Sequence, residues 1–497
     1  MTTTVGHEAP ATVHRTAATV DRYNRRWWAL AVLALAQLMV VLDATVVNIA
    51  LPDAQRDLGF SDSSRQWVIT GYSLAFGSLL LLGGRFGDMF SRRVIFITGL
   101  VGFAAASVVG GMSQNFGTMV SARVVQGVFG ALLSPAALSL LSVIFTDKAE
   151  RAKAFGVYGA VAGAGSAFGL LLGGTLTEFA SWRWVFYVNL IFAAVAVIGA
   201  ALALGRAMPQ RSQPLDLPGA VTVTAALFGI VYGFSRAESH GWSDPVTIGF
   251  LIASVVLLAA FVLVERTVSH PLLPLRILHD RTRAGAYLSM FVTGVGGFAL
   301  FLFLTYYLQL VCGYSPLLTG VAFLPMVAAM TSTATLTPTL VLPRIGLKAT
   351  MGGGFLSAAV GMMLLTGIGT HTSYTGHVLP GLLLLGIGMG VAFSVAIQNA
   401  TSGVDAADSG VASAMVNTMQ QVGGSIGTVL LNAVAATAAT RSLSSATAKV
   451  QSRIDSYTAT FWWSAGIFLI GGLIVVVLLP NKASPQGSAD SDPGGGR

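Results

Sequence analysis

The chain has 497 residues, of which 54% are hydrophobic and 10% charged, and its mean hydropathy is +0.74. Soluble domains carry about 25% charged residues, so this composition excludes a soluble protein of several domains. The net charge of +8 does not indicate a nucleic-acid-binding protein, because most basic residues stand in short loops beside apolar blocks.

Fourteen apolar blocks follow one another along the chain. About 20 apolar residues make one membrane crossing, and the first block is too long for the core of a cleavable signal peptide. The blocks are 27–50, 66–84, 94–112, 116–145, 154–176, 184–205, 217–235, 246–264, 284–311, 317–341, 349–369, 377–399, 409–438 and 459–480. The sequence therefore predicts an all-α polytopic membrane protein with about fourteen transmembrane helices.

The basic residues predict the orientation of these helices. With the amino terminus inside, the inner segments hold 20 of the 28 Lys and Arg residues and the outer loops hold 7. Because such residues favour the cytoplasmic side, we expect a plasma-membrane protein with both termini in the cytoplasm. The loop 401–408 agrees least with this orientation, because it is predicted to lie inside but contains two aspartates and no basic residue. Segments 1–26 and 481–497 have the composition of disordered cytoplasmic tails.

Two charges of opposite sign lie well inside apolar blocks, Asp43 in the first and Arg123 in the fourth. A rise of about 1.5 Å per residue places both in the outer half of a core about 30 Å thick. They can pair if the two helices are neighbours. An intramembrane charge marks a functional site by default, and a carboxylate whose contact with arginine or water changes can load and release a proton. The alternative is a static pair, or a carboxylate held by backbone donors.

Two further motifs have both a functional and a purely structural interpretation. The segment GRFGDMFSRR contains Gly84, Asp88, Arg92 and Arg93, and it predicts either a conformational latch or a simple cytoplasmic anchor. The fifth block contains glycines at a spacing that favours close helix packing, whether or not export depends on it. These are Gly156, Gly165, Gly169, Gly173 and Gly174.

Polar and aromatic residues inside the blocks are candidates for contact with a substrate. An apolar cavity with a few polar groups suits an amphipathic organic molecule, although many of these side chains serve only as hydrogen bonds between helices. The main candidates are Gln37, Gln126, Tyr306, Tyr307, Gln309, Asn417, Gln420 and Gln421, with Asn189, Asn399, Phe298, Phe301 and Phe303 as further ones.

The histidines lie in tails, loops or at block edges, and the sequence has no GxxxxGK[ST] loop. Its one cysteine, Cys312, excludes an internal disulfide. We therefore expect no metal, haem or nucleotide cofactor and no ATP-driven pumping by this chain alone.

Several segments resemble the fourteen-span drug:proton antiporters of the major facilitator superfamily. The segment LDATVVNIALP from Leu42 resembles their first-helix signature, and RVVQGVFGA from Arg123 resembles their fourth-helix pattern. GYSPLLTGVAFLP from Gly313 and GVASAMVNTMQQVGGSIG from Gly410 resemble segments of the second half. Ser91 stands where the pattern after helix 2 has glycine, and Leu170 replaces the proline of the exporter signature.

The resemblance implies two six-helix bundles, residues 27–205 and 284–480, joined by an inserted helix pair in 206–283. It further implies a substrate site near the midplane and proton-driven export of lipophilic antibiotics or toxic compounds by a monomer. Asp43 would carry the proton and Arg123 would modulate its proton binding. The proton gradient would drive transport, so no cofactor is expected. The alternatives are a transporter of one dedicated metabolite and, with less support, a membrane-embedded enzyme, for which no nucleophile or His/Asp pair stands out.

Overall fold

The computed structural model describes residues 12–61, 64–204, 216–269, 271–273, 275–370, 372–401, 409–439 and 446–480. Every regular element in these ranges is helical, and fourteen of the helices have at least 20 residues. These are α1 (Thr12–Leu58), α2 (Gln66–Met89), α3 (Arg92–Gly111), α4 (Phe116–Ile144), α5 (Lys148–Phe179), α6 (Trp184–Ala203), α7 (Leu217–His240), α8 (Pro245–Thr267), α9 (Arg281–Tyr306), α10 (Pro316–Leu336), α11 (Leu342–Leu365), α12 (Leu379–Thr401), α13 (Ser409–Ala439) and α14 (Ala446–Leu478).

The helices have the length and apolarity of membrane spans. Within the described ranges, ten helical stretches are long and apolar enough to cross a membrane, and one of them, Pro316–Leu365, covers both α10 and α11. Each of the fourteen predicted blocks falls on one long helix. The predicted all-α polytopic fold is confirmed.

Helix α1 is longer than predicted. It begins at Thr12, so residues 12–26 of the predicted disordered tail are helical, and it continues past Ala50 to Leu58. No glycine or proline occurs between Ala11 and Leu51 to stop the helix. Residues 1–11 and the predicted tail 481–497 lie outside the described residues.

The connection between α10 and α11 is also more helical than predicted. A π-helical turn, Thr337–Val341, leads directly into α11, and the chain bends at Gly346, whose φ is +77°. Glycine adopts this left-handed conformation without the steric cost that a Cβ would add. Two other π-helical turns, Tyr307–Val311 and Tyr374–Val378, end α9 and precede α12.

The same packing pattern occurs twice. In the first half α1 packs on α5 and α6, α3 packs on α4 and α6, and α2 packs on α4. In the second half α9 packs on α13 and α14, α11 packs on α12 and α14, and α10 packs on α12. The helices α1–α6 and α9–α14 therefore form two six-helix bundles with equivalent internal contacts.

Two helix pairs join the bundles, and the inserted helices lie beside one of them. The joining pairs are α2 with α13 and α5 with α10, and Gly77 of α2 lies directly against Gln421 of α13. Helix α7 packs on α8 and also on α2 and α13, so it covers one seam between the bundles. The predicted boundary between the first bundle and the inserted pair, between residues 205 and 206, lies outside the described residues.

The turn between α7 and α8 is held by an ion pair. Arg236 Nε donates to Asp244 Oδ2 at 2.8 Å, and the same carboxylate caps α8 by accepting from Thr247 N at 2.9 Å. The Arg236 guanidinium holds the pKa of Asp244 below its usual range. An apolar cavity of about 740 Å³ is lined by residues of α2, α4, α7 and α8.

Candidate functional site

Four helices of the first bundle bring five polar side chains to one buried point. Helix α1 contributes Asp43, α4 contributes Arg123 and Gln126, α3 contributes Ser107 and α6 contributes Asn189. Asp43 and Arg123 are 1% and 2% exposed, and the other three are also buried. The pairing expected from their similar depth is present in the structure.

Arg123 of α4 forms the ion pair with Asp43 of α1 and also bonds to the backbone of α2. Its Nη1 donates to Asp43 Oδ2 at 2.5 Å and to Gln126 Oε1 at 2.9 Å. Its Nε donates to the backbone carbonyl of Val68 on α2 at 3.0 Å. The guanidinium also lies over the ring of Tyr72, with Cζ 4.3 Å from the ring centroid, so an aromatic face contributes to the stabilisation of the cation.

The second oxygen of Asp43 accepts from two amides. Gln126 Nε2 donates to Asp43 Oδ1 at 3.0 Å, and Asn189 Nδ2 donates to the same oxygen at 2.8 Å. Gln126 Nε2 also donates to Ser107 Oγ at 2.7 Å. The carboxylate therefore has three side-chain donors, which are Arg123, Gln126 and Asn189.

The buried ion pair resists separation of its two charges. Leaving one member of a buried ion pair without its partner costs about 3–5 kcal/mol. Protonation of Asp43 or withdrawal of Arg123 is therefore favourable only together with a rearrangement that compensates the remaining charge. The Tyr72 hydroxyl and Asn189 Oδ1 are buried without a hydrogen-bond partner among the described residues, so they are available to such a rearrangement.

The segment predicted as a gating loop is mostly helical. Gly84 and Asp88 lie in α2, which continues to Met89, because helix propagation outweighs the cost of the glycines. The closest backbone approach is at Gly83 rather than Gly84, since a Cβ there would collide with the carbonyl of Ala131. The side chain of Asp88 lies outside the described part of the structure.

Arg93 anchors the start of α3 within its own bundle. Arg93 Nη2 donates to the carbonyl of Ala201 at 3.0 Å, and Arg25 Nη2 donates to Leu202 O at 3.1 Å. Both arginines thus satisfy carbonyls at the end of α6, where the helix dipole favours cations. Arg92, at the first residue of α3, is partly exposed.

The glycines of α5 lie against two different partners. Added Cβ atoms at Gly165, Gly169 and Gly173 would meet Leu38, Thr45 and Val46 of α1. Gly174 instead lies against Pro316 and Leu317 of α10, in the other bundle. Helix α5 runs without interruption from Lys148 to Phe179, so Leu170 at the usual proline position leaves it continuous. Gly156 lies in α5, but its surroundings fall outside the described residues.

Two of the residues predicted to face substrate connect the bundles, and a third bonds within one of them. The Tyr306 hydroxyl donates to Gln55 Oε1, and Gln309 Nε2 donates to Ile49 O at 3.1 Å, so both connect the end of α9 to α1. The Tyr307 hydroxyl donates to Gly369 O at 2.8 Å within the second bundle. Both tyrosines are buried, Tyr306 as the last residue of α9 and Tyr307 as the first residue of the π-helical turn that follows it.

The same end of the molecule has contacts that the sequence did not indicate. The guanidinium carbon of Arg65 lies 4.2 Å from the centroid of the Tyr306 ring and 5.6 Å from that of Phe303. Glu178 Oε2 accepts from Leu317 N at 3.0 Å, between α5 and α10. We refer to the interbundle contacts of Tyr306, Gln309, Arg65 and Glu178 as the outer seam. A loop arginine and a helix-end glutamate are ordinary in sequence, so no pattern distinguished them.

The remaining polar candidates divide into bonded and half-buried residues. Gln126 belongs to the Asp43 network, and Asn399 donates to Val395 O of its own helix at 2.7 Å. Gln37 Oε1 accepts from the Tyr158 hydroxyl at 2.7 Å between α1 and α5. The half-buried ones on α13 are Asn417, Gln420 and Gln421. Phe301 is packed against Phe323, and the side chain of Phe298 is not among those described.

Comparison with known proteins agrees with this architecture. The family model of the Major Facilitator Superfamily matches residues 33–428. The chain belongs to the major facilitator superfamily. It is 47% identical over 478 residues to a puromycin resistance protein of Streptomyces alboniger, covering 94% of this chain and 95% of that protein. It is 32% identical to a cephamycin export protein of Amycolatopsis lactamdurans, covering 92% and 94% of the two chains.

Solved structures of other transporters have the same fold. A POT family transporter matches with a TM-score of 0.67 at 15% identity, covering 92% of this chain and 97% of that one. A bacterial homologue of the lysosomal transporter Spinster matches with a TM-score of 0.64 at 15% identity, covering 91% and 97%. Membership in this family makes the protein a multi-pass membrane transporter of small molecules, which confirms the prediction that it is not an enzyme.

Proposed function

We propose that this transporter is a proton-coupled antiporter that exports lipophilic or amphipathic organic compounds, including antibiotics, by alternating access. The observation that carries the proposal is the buried ion pair of Asp43 and Arg123, because it places a titratable group next to a cation inside the membrane. Export is further supported by relatives named for resistance to puromycin and for export of cephamycin and tetracenomycin C.

In the proposed cycle Asp43 takes up a proton when the bundles open at the outer seam. Arg123 then loses its carboxylate partner and keeps the contacts it already has with Val68 O, Gln126 Oε1 and the Tyr72 ring. Release of the proton on the cytoplasmic side restores the ion pair. Both steps change the packing of α1 against α4, so the charge state of Asp43 is linked to the arrangement of the bundle.

We place the substrate between the bundles near the midplane. Gln37 of α1 and the half-buried Asn417, Gln420 and Gln421 of α13 would supply its few polar contacts. Positions 417, 420 and 421 share one face of α13, because residues three and four apart are neighbours on a helix. Such a surface favours amphipathic molecules over sugars or inorganic ions. We also expect a plasma-membrane location, cytoplasmic termini and a functional monomer.

Everted membrane vesicles that contain the overexpressed protein test this function. A proton gradient, acidic inside, should drive accumulation of labelled puromycin, and a protonophore should abolish it. Asp43→Asn should lose the gradient-driven component, whereas Asp455→Asn should keep it, because Asp455 is an exposed carboxylate that accepts from Gln451 of its own helix. Gradient-driven accumulation that persists in Asp43→Asn would overturn the proton-carrier role.

A resistance panel distinguishes general drug export from transport of one dedicated metabolite. Cells that overexpress the protein should tolerate several chemically different amphipathic antibiotics, and Asp43→Asn should remove this tolerance. Protection against a single compound would favour the dedicated transporter.

A further inference from the structure

The inserted pair α7–α8 contains two buried carboxyl groups that the proposed cycle does not use. Asp216 immediately precedes α7 and Glu265 lies in the last turn of α8, so the antiparallel pair brings them to the same end. Their exposed fractions are 2% and 4%. This degree of burial is unusual for acidic side chains unless their charges are compensated.

Each carboxyl group uses one oxygen for a backbone contact. Asp216 Oδ1 accepts from Gly219 N at 2.9 Å and so caps α7. Glu265 Oε2 accepts from Leu273 N at 3.0 Å and so fixes the segment that leads to α9. The other two oxygens, Asp216 Oδ2 and Glu265 Oε1, have no donor among the residues the structure describes.

The two unsatisfied oxygens face the same point. A Cβ on Gly219 would collide with both carboxyl groups, since it would lie 2.2 Å from Asp216 Oδ2 and 2.8 Å from Glu265 Oε1, and the two oxygens are therefore no more than 5.0 Å apart. Two acceptors in this position repel when both groups are ionised, and the low dielectric of a buried site strengthens the repulsion. One proton between the oxygens would replace the repulsion with a charge-assisted O–H···O⁻ hydrogen bond, which is stronger than a hydrogen bond between neutral groups.

Among the described side chains, no lysine or arginine forms an ion pair with either carboxyl group. Arg266, the nearest basic residue along α8, is exposed, and the charged residues of α7, which are Arg236, Glu238 and His240, lie at the opposite end of the pair. The described part of α13, which packs on α7, contains no charged residue.

We propose that Asp216 and Glu265 form a second proton-binding site, separate from Asp43, in which one proton is shared between Asp216 Oδ2 and Glu265 Oε1. The shared proton links the start of α7, the end of α8 and the segment at Leu273, and we call this linkage the clamp. Leu273 packs in the same core as Tyr287 of α9, and α7 covers the α2–α13 seam. The clamp therefore connects the inserted pair to both bundles.

The protonated clamp stabilises the fold, and its contribution is lost when the proton leaves. Because the site binds its proton more tightly in the folded protein than an isolated carboxyl group does, this stability is present at low pH and decreases as the pH rises through the titration of the site. In the predicted topology the site lies at the cytoplasmic end of the helix pair, so it responds to cytoplasmic pH.

Infrared difference spectroscopy of the full-length protein in lipid nanodiscs tests the proposal. At about pH 5 the spectrum should contain the carbonyl stretch of one protonated carboxyl group, and titration to about pH 9 should remove it. Ordinary aspartate and glutamate side chains are already mostly ionised in this range. The band should be absent in Glu265→Gln and in Asp216→Asn. Because there are two variants, the assignment is still checked if one of them fails to fold. It should remain in Asp43→Asn and Asp455→Asn.

Thermal unfolding of the same samples gives a second measurement. Glu265→Gln keeps a donor for Asp216 Oδ2 without a titratable proton, so its melting temperature should change less with rising pH than that of the wild type. Absence of the band at every pH, or its disappearance on addition of Na⁺ or Mg²⁺ at constant pH, would overturn the shared-proton site. Loss of the band in Asp43→Asn would assign it to the first bundle and would also overturn the proposal. Failure of drug export alone leaves this band unchanged, so the two proposals fail separately.

Discussion

Asp43 accepts hydrogen bonds from three side chains, and the donors differ in charge. Arg123 is a cation, whereas Gln126 and Asn189 supply neutral amide donors. A hydrogen bond to a charged group contributes about 1.5–3 kcal/mol, so even a neutral donor helps to hold the carboxylate in place.

Replacement of Asn189 by leucine should slow gradient-driven transport. The variant removes one donor from Asp43 Oδ1, and a hydrogen bond to a charged group contributes about 1.5–3 kcal/mol. We expect the initial rate of uptake to fall several-fold. Ser107→Ala is the matched control, because its hydroxyl contacts the two amides and not the carboxylate. Equal losses in both variants would contradict a direct effect on Asp43.

The residues of this site were only partly predictable from the sequence. Asp43 and Arg123 stand out because they are charged within apolar blocks, and their depths follow from the helical rise. Ser107 and Tyr72 are unremarkable residues in apolar segments, and only the packing of α3 and α2 brings them to the pair. Tyr306 resembled a substrate contact because the sequence does not show that its hydroxyl bonds to Gln55 of the other bundle.

At the level of elements, hydrophobic length predicted the number of helices better than it predicted their ends. A block ends where apolarity ends, but a helix ends where its hydrogen bonds do, so α2 continues through the GRFGDM segment and α1 continues to Leu58. The spacing of glycines in α5 indicated close packing. It did not indicate that Gly174 faces the other bundle.

Gly174→Ala should open the outer seam. The added Cβ would lie 2.6 Å from Leu317 Cα and 2.7 Å from Pro316 O, and because both are backbone atoms, α5 and α10 must separate. Cys312 lies at the start of the same α9–α10 connection, where burial raises the pKa of its thiol and slows its reaction. We expect its labelling by a maleimide to become several-fold faster in the variant.

Gly466→Ala is the matched control for this experiment. A Cβ at Gly466 has no neighbour within 4 Å, so the substitution should leave the labelling rate of Cys312 unchanged. Identical labelling rates in Gly174→Ala and the wild type would show that the outer seam tolerates the added atom.

At the level of the whole molecule, two equivalent bundles are joined along two seams, and α7 covers one of them. The fourteen blocks were sufficient to predict the helix count. The twofold pattern of contacts and the position of α7 at the α2–α13 seam could not be predicted, because they depend on helix neighbours that are far apart in sequence. The orientation in the membrane rests on the distribution of basic residues.

Single-cysteine labelling tests that orientation in a Cys312→Ser background. Ser61 and Thr146 are exposed and lie in connections that are predicted to face opposite sides of the membrane. Ser61→Cys should react with a membrane-impermeant maleimide in intact cells, and Thr146→Cys should react only after permeabilisation. The reverse pattern would place the amino terminus outside.

The central claim is that Asp43 carries the transported proton, and proton release on substrate binding tests it most directly. Purified protein in weakly buffered detergent solution should release protons when puromycin is added at a pH where Asp43 is protonated, as a pH indicator would record. We expect release from the wild type and from Asp455→Asn and none from Asp43→Asn, although Asp43→Asn should still bind puromycin. Undiminished proton release from Asp43→Asn would contradict the account.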